Sequence, residues 1–323
     1  MKKFFSNLYK FSSSWTGTII IVLALIFFVA QSFVIPSGSM KRTLLIGDFL
    51  FAKKFSYGIP TPTLPWLELP LLPDFNHNGH LIEGPRPKRE DIVIFRYPKN
   101  HKIHYVKRCV AVGGDEILYA NKKLLIHFHE GDAYIKAHYP ASKIVRLREK
   151  LWVVNPYMDK YPGIQYAPEG EPIFNILLKY YAYDKPIDVT PIHVEGLDAP
   201  SYKMGSQVIN ALYKKVEDDH FYMIGDNRDN SNDSRFWGSV PYSLIVGKPW
   251  LIYMSIEHRS YDKVLNGDKF GNGRDHQSLK RVCGDIPLES PECQKLWDKQ
   301  RYKVRWGRVG RRIDALQHEA PIE

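Results

Sequence analysis

Three segments of the chain concentrate side chains able to do chemistry. The first, PSGSMKRTL from Pro36, sets Ser37 and Ser39 either side of a glycine, so Ser39 can stand exposed on a tight turn. A serine hydroxyl is a weak nucleophile until a base takes its proton. The spacing is not the G-x-S-x-G elbow of the α/β-hydrolases, and none of the 12 histidines sits in a motif that points to a triad. Taken alone, the segment reads first as a flexible linker. The second segment, HYVKRCVAVGGD, places Lys107 inside an apolar run with strand character. On a strand, Tyr105, Lys107 and Cys109 share one face, and Val106, Arg108 and Val110 the other. A lysine among apolar neighbours ordinarily snorkels to water. Where it cannot, desolvation disfavours the ammonium form, the pKa falls, and the amine becomes a usable general base.

The third segment, GDNRDNSNDSRFWG from Gly225, is dense in polar groups directly after the apolar run FYMI. Its acids raise the question of a calcium loop. Counted from Asp229, the sixth position is Ser234 rather than Gly and the twelfth is Val240 rather than Glu, which argues against one. The alternative is an internally paired network of Asp226, Arg228, Asp229, Asp233 and Arg235 that holds a loop rigid beside a site. His127 and His129 share a strand parity and so one face, but two histidines without further ligands make a poor metal site.

The elements that must position these groups follow from composition and patterning. The 323 residues are 44% hydrophobic and 25% charged, which excludes wholesale disorder, and the 22 Pro and 22 Gly show no collagen-like period. Three cysteines cannot build a disulfide framework, and no pair has zinc-finger spacing. The net charge of +10 includes seven cations and no acid between Lys299 and Arg312, read either as a solvated face or as attraction to anionic phospholipid; no nucleic-acid motif accompanies it. From Thr16 to Phe33 the chain is uncharged and aliphatic. Eighteen helical residues reach about 27 Å, just enough for a bilayer core. A cleavable signal peptide competes, but ending it at Ala30 would put the bulky Phe28 at its third upstream position. The expectation is a retained single-pass anchor at 16–33, a cytoplasmic N-terminus at 1–15, and residues 34–323 outside. The remainder reads as mainly β, with short branched and aromatic runs between turn signals and no long amphipathic helix. Asn121-Lys122 marks a hairpin turn, and Tyr302, Val304 and Trp306 alternate with Arg301, Lys303 and Arg305 as on a strand with one buried and one basic face. Residues 116–220 and 257–300 read as β-rich insertions.

An N-terminal anchor followed by PSGSM, DIVIF, YVKR with GGD, and GDNRDNSNDSRFWG, in that order, resembles bacterial signal peptidase I. The matching blocks cover under a third of the chain. The resemblance implies an antiparallel-sheet catalytic domain in the periplasm, tethered to the inner membrane, which cuts signal peptides from secreted preproteins after small residues of the Ala-X-Ala type. Its partners would be those preproteins, membrane phospholipids and, indirectly, the export machinery. It implies Ser39 as nucleophile and Lys107 as general base, with Ser37 and the Ser39 N–H as oxyanion donors and no metal or cofactor. Ser231 would orient the Lys107 amine, Asp233 and Arg235 would form a supporting ion pair, and Arg108 would be structural. Ile35, Met40, Leu44, Tyr105 and Val106 would line the pockets for small side chains. The chain departs from the family pattern at Arg42, where Pro is usual, at Glu90, where Gly is usual, and at Gly113, where Pro is usual. A relative specialised for one secreted substrate, or an inactive scaffold that keeps the fold, are the competing readings. In an oxidising periplasm, Cys283 and Cys293 are expected to pair, leaving Cys109 free and buried.

Overall fold

The structure, a computed structural model, describes residues 6, 9–24, 30–62, 71–168, 171–266 and 276–321. Strands β1 (Ala30–Val34) and β2 (Asp48–Lys53) are followed by the short β3 (Gly58–Pro60) and β4 (His80–Glu83) and by the hairpin of β5 (Ile92–Tyr97) and β6 (Asn100–Val112). The middle of the chain holds β7 (Glu116–Ala120), β8 (Lys123–His127), β9 (Ile144–Leu147), β10 (Lys150–Val154) and β11 (Thr190–Ile192). It ends with β12 (Tyr202–Met204), β13 (Gln207–Ile209) and β14 (Ala211–Lys215). The chain then returns through β15 (His220–Ile224), β16 (Val240–Pro241), β17 (Ile245–His258) and β18 (Tyr302–Val304).

The main sheet has the order β1-β2-β17-β5-β6-β15-β16, with β18 also on β17, and its pairings are antiparallel. Its strands follow from their residues. In β2 (DFLFAK), Asp48, Leu50 and Ala52 are buried while Phe49, Phe51 and Lys53 are only partly so, the two-residue period of a half-buried strand. In β5 the run IVIF is buried on both faces, as a central strand requires. Among the described residues β1 is an edge strand, paired with β2 alone, from Ala30 opposite Lys53 to Val34 opposite Phe49. A second sheet, β11-β14-β7-β8-β10-β9, is built from residues 116–215, as the β-rich reading of that region expects. Asn121, at φ 51, turns the β7–β8 hairpin.

Three expectations need correction. Helix is present over Trp15–Ala24, residues 25–29 lie outside the described residues, and Ala30–Val34 is strand β1. The last four residues of the expected span therefore pair with β2, Gln31 opposite Ala52 and Ser32 opposite Phe51, and the Ser32 hydroxyl meets that of Tyr253. No helix among the described residues is long and apolar enough to cross a membrane. Among the described residues no long amphipathic helix lies outside the anchor region; a short one, at Ile173–Ala182, buries Ile173, Phe174, Leu177 and Leu178 in the core under the second sheet. The second insertion is helical rather than β-rich, with helices at Tyr261–Asn266, His276–Cys283 and Pro291–Asp298. Its last helix carries the start signals that could have announced it: Ser290 caps the Cys293 N–H and Pro291 begins the first turn. The Tyr302–Trp306 alternation has no buried apolar face: β18 stops at Val304, and Tyr302 and Trp306 are 61% and 72% exposed.

The cysteine expectation holds. Cys283 and Cys293 are joined by a disulfide, with Cα atoms 5.2 Å apart, and Cys109 is free and buried. The bridge ties two helices over a small core of Val264, Leu279 and Trp297. Closing so short a loop stabilises this unit by about 2–3 kcal/mol on chain-entropy grounds. Replacing both cysteines with serine should therefore speed proteolytic cutting within 259–300 several-fold while the main sheet melts unchanged; limited proteolysis with calorimetry measures both.

Candidate active site

Strand β1 runs into a single 3-10 turn, Gly38–Met40, which presents Ser39. Across from it, β6 delivers Lys107 opposite Val93 of β5. Ser39 and Lys107 are only 8% and 4% exposed, and the Lys107 Nζ donates to Ser39 Oγ at 2.7 Å and to the Val106 carbonyl at 3.1 Å. Burial strips water from the ammonium and lowers the Lys107 pKa to about 8, with Arg235 helping and Asp233 and Asp226 opposing. The Ser37 hydroxyl lies 3.5 Å from that of Ser39.

The loop after β15 supplies the charges around this pair. Arg235 grips Asp233 through Nε and Nη2, both at 2.8 Å, and its Nη2 also donates to the Arg228 carbonyl. Arg108, wholly buried, grips Asp226 in the same two-pronged way at 2.8 Å. Burial alone would raise both carboxyls, but the adjoining Arg108 and Arg235 outweigh it and hold Asp226 and Asp233 below the usual carboxylate range. Asp229 accepts from the Ala167 N–H and, more weakly, from the Ile173 N–H. Of the expected internal network, the Asp233–Arg235 pair lies within the loop, whereas Asp226 turns to Arg108 and Thr43 and Asp229 to the Ala167 and Ile173 N–H groups, so the loop is braced by its neighbours as much as by itself. Gly225 is obligatory here: a Cβ would lie 2.3 Å from Ser231 Oγ and 2.5 Å from the Ser39 carbonyl oxygen.

Beside Ser39 opens a cleft of about 360 Å³ between β1 and β6. Ile35, Tyr105 and Val106 line it, as expected, together with Ser37, Ser39 and Lys107. Met40 and Leu44 do not: both are fully buried, packed with Ile35 and Leu50 in the core beneath the turn. Ser231 is buried beside Gly225, but the hydrogen bonds of the Lys107 amine go to Ser39 and Val106. Sequence reasoning missed Phe33, Ile94 and His104, which also line the cleft. Of the unusual residues, Glu90 adopts φ 78 and Arg42 φ 81. The first is a conformation glycine favours, held here by the Glu90 N–H to the Cys109 carbonyl at 2.7 Å and by Lys160 and Tyr161 on its carboxylate. The second is one that a proline ring forbids. His129 meets Asp115 and Glu130, but Arg89 donates to both carboxylates and already supplies the positive charge.

Residues 8–254 match the family model described as signal peptidase, peptidase S26. The chain belongs to the S26 family of signal peptidases. It is 43% identical to signal peptidase I of Helicobacter pylori over 320 residues, covering 98% of this chain and 96% of that protein. The protein of a second Helicobacter pylori strain is 44% identical over the same shares, and that of Buchnera aphidicola 34% identical over 80% and 77%. Membership of the signal peptidase family makes the chain a serine peptidase, a hydrolase of peptide bonds. Ser39, Lys107 and the loop from Gly225 all lie within the stretch matched to the family, whereas the disulfide-bonded helices lie beyond it.

The dry environment of Lys107 has a direct readout. In lysine-labelled protein, the amine resonance that vanishes in Lys107→Met should titrate at about 8, well below the value of a solvated lysine. A resonance titrating with the bulk lysines would refute the burial.

Proposed function

We propose that the chain removes signal peptides from secreted preproteins, with Ser39 as nucleophile and Lys107 as the base that serves it. The observation that carries this reading is the buried Lys107 amine 2.7 Å from Ser39 Oγ, with its pKa lowered to about 8. As the Ser39 oxygen attacks the scissile carbonyl carbon, its proton passes to the neutral Lys107 amine. The Ser39 N–H and the Ser37 hydroxyl stabilise the charge that develops on the carbonyl oxygen, an effect usually worth about 3–4 kcal/mol. The Lys107 ammonium then protonates the leaving amine. A water then gives its proton to the same amine and attacks the ester carbon, and the resulting ammonium passes that proton to Ser39 Oγ as the ester bond breaks, freeing the acid and restoring both side chains. The side chains involved complete this cycle among themselves, so the scheme invokes no cofactor.

Ile35, Tyr105 and Val106 make the cleft shallow and apolar, which favours Ala or a similarly small residue before the cut and two residues upstream. The charge-free stretch from Thr16 tethers the domain to the inner membrane, with residues before it cytoplasmic and the catalytic part periplasmic, where membrane-held preproteins present their cleavage sites.

Mutation and pH test the mechanism together. Below a pH of about 8 the lysine is charged and cannot accept a proton, so the cleavage rate should climb with pH through that value and level off above it. Ser39→Ala and Lys107→Arg should each lose at least about 10³-fold in kcat while remaining folded, because a guanidinium keeps its proton. Substantial turnover by folded Lys107→Arg would eliminate the scheme. For specificity, a peptide series with Ala replaced by Phe just before the cut should lose cleavage; equal rates across it would overturn the assignment of the cleft.

A further inference from the structure

The helix Ile313–Leu316 and the two residues after it lie outside the stretch matched to the family, yet they reach the ion pair beneath the nucleophile. Arg108 is completely buried, and a guanidinium cannot escape burial by losing its proton. Its Nε and Nη2 donate to Asp226, and its Nη1 donates to the Glu90 carbonyl at 2.7 Å and to Gln317 Oε1 at 3.0 Å. The Tyr161 ring lies against the guanidinium, 4.0 Å from centroid to Cζ.

Asp226 in turn holds the turn that carries Ser39. It accepts from Thr43 Oγ1 at 2.6 Å, and its N–H meets Met40 Sδ at 3.4 Å. The next residue, Asn227, donates from its N–H to the Ser39 carbonyl and from Nδ2 to the Gly38 carbonyl. Arg108 is also the neighbour of Lys107 on β6, so the one guanidinium is mechanically linked to both nucleophile and base. The 313–318 segment is firmly seated: Ile313 and Leu316 are buried in the same core as Ile35, Met40 and Leu44. His318 lies against Tyr161, with ring centroids 5.0 Å apart.

We propose that Gln317 is a positioning residue for catalysis, fixing Arg108 so that Asp226 holds the Ser39 turn within reach of Lys107. The inference rests on the reading of Ser39 as nucleophile. Removing the Gln317 oxygen leaves Arg108 Nη1 with the Glu90 carbonyl alone and one N–H of a buried guanidinium short of its acceptor, which loosens the hold on Arg108. Nucleophile and base tolerate displacements of only about 0.5 Å before the reaction geometry is lost. The damage should therefore fall on turnover rather than on substrate binding.

The test uses the full chain in detergent, cleaving a peptide with an Ala-X-Ala site. Gln317→Leu keeps the bulk and removes the acceptor; Gln317→Glu keeps an acceptor oxygen. Gln317→Leu should lower kcat about ten-fold with KM within about two-fold of wild type, and Gln317→Glu should restore kcat to within about three-fold. Thr43→Val cuts the same chain of bonds further along, so the double variant with Gln317→Leu should be little worse than the weaker single. If Gln317→Leu fails to fold, Gln317→Met provides the same comparison with an unbranched chain. Ser39→Ala runs alongside: full activity there would sink the nucleophile reading itself. An inert Ser39→Ala with Gln317→Leu at wild-type kcat would overturn the role of Gln317 alone. So would Gln317→Glu falling as far as Gln317→Leu, or losses in the double variant that simply multiply.

Discussion

The 2.7 Å contact between the Lys107 amine and the Ser39 hydroxyl is useful near neutral pH only if dehydration costs the ammonium more than nearby carboxylates return to it. Two aspartates lie close enough to raise the Lys107 pKa, and left unpaired they would hold the lysine charged. Each is instead matched to an arginine in a two-pronged, fully buried pair, Asp226 with Arg108 and Asp233 with Arg235. The surrounding loop can thus be rigid and strongly polar without presenting net negative charge to the amine. Breaking such a buried pair by removing one partner typically costs about 3–5 kcal/mol, so these charges secure the fold and the electrostatics at once.

The same economy shapes the backbone. Glu90 sits in a conformation that suits glycine, at a local cost of order 1 kcal/mol. Its carbonyl serves Arg108, its N–H serves Cys109 on β6, and its carboxylate takes Lys160 and Tyr161 from the loop after β10. A glycine would adopt the turn more easily and would lack the carboxylate that ties the second sheet's loop to the site. The unusual residue is therefore offset by contacts that glycine cannot make.

Ser39 and Lys107 were legible because their residue types sit in distinctive local blocks, and so were the two-residue strand period and the Cys283–Cys293 pair. Less legible was whatever depends on where a strand's neighbours fall. Met40 and Leu44 are apolar and adjacent to Ser39, which is equally true of a cleft wall and of the core beneath it; only the turn geometry sends them inward. The helix at Ile173–Ala182 is short, and its Ile, Phe and Tyr residues have at least as strong a preference for strands, so its packing decides its form. Gln317 lies far from every motif, and its contact with Arg108 is set by tertiary packing alone. The apolar stretch from Thr16 gives up its last residues to β1 because Ala30–Val34 can pair with β2, a competitor that hydropathy does not see.

Because β1 is an edge strand, its outer row of N–H and C=O groups has no strand partner among the described residues, and that row borders the cleft beside Ser39. Sheet edges are ordinarily blunted by charge, proline or covering segments, since any extended chain can dock on them. Here such protection would obstruct the approach to the serine. An extended peptide could make main-chain hydrogen bonds along this row whatever its side chains. Under the proposed reading, such a surface is permissive by construction, open to extended segments that are held without being cut, so that selectivity would rest on the rate of reaction after docking more than on docking itself.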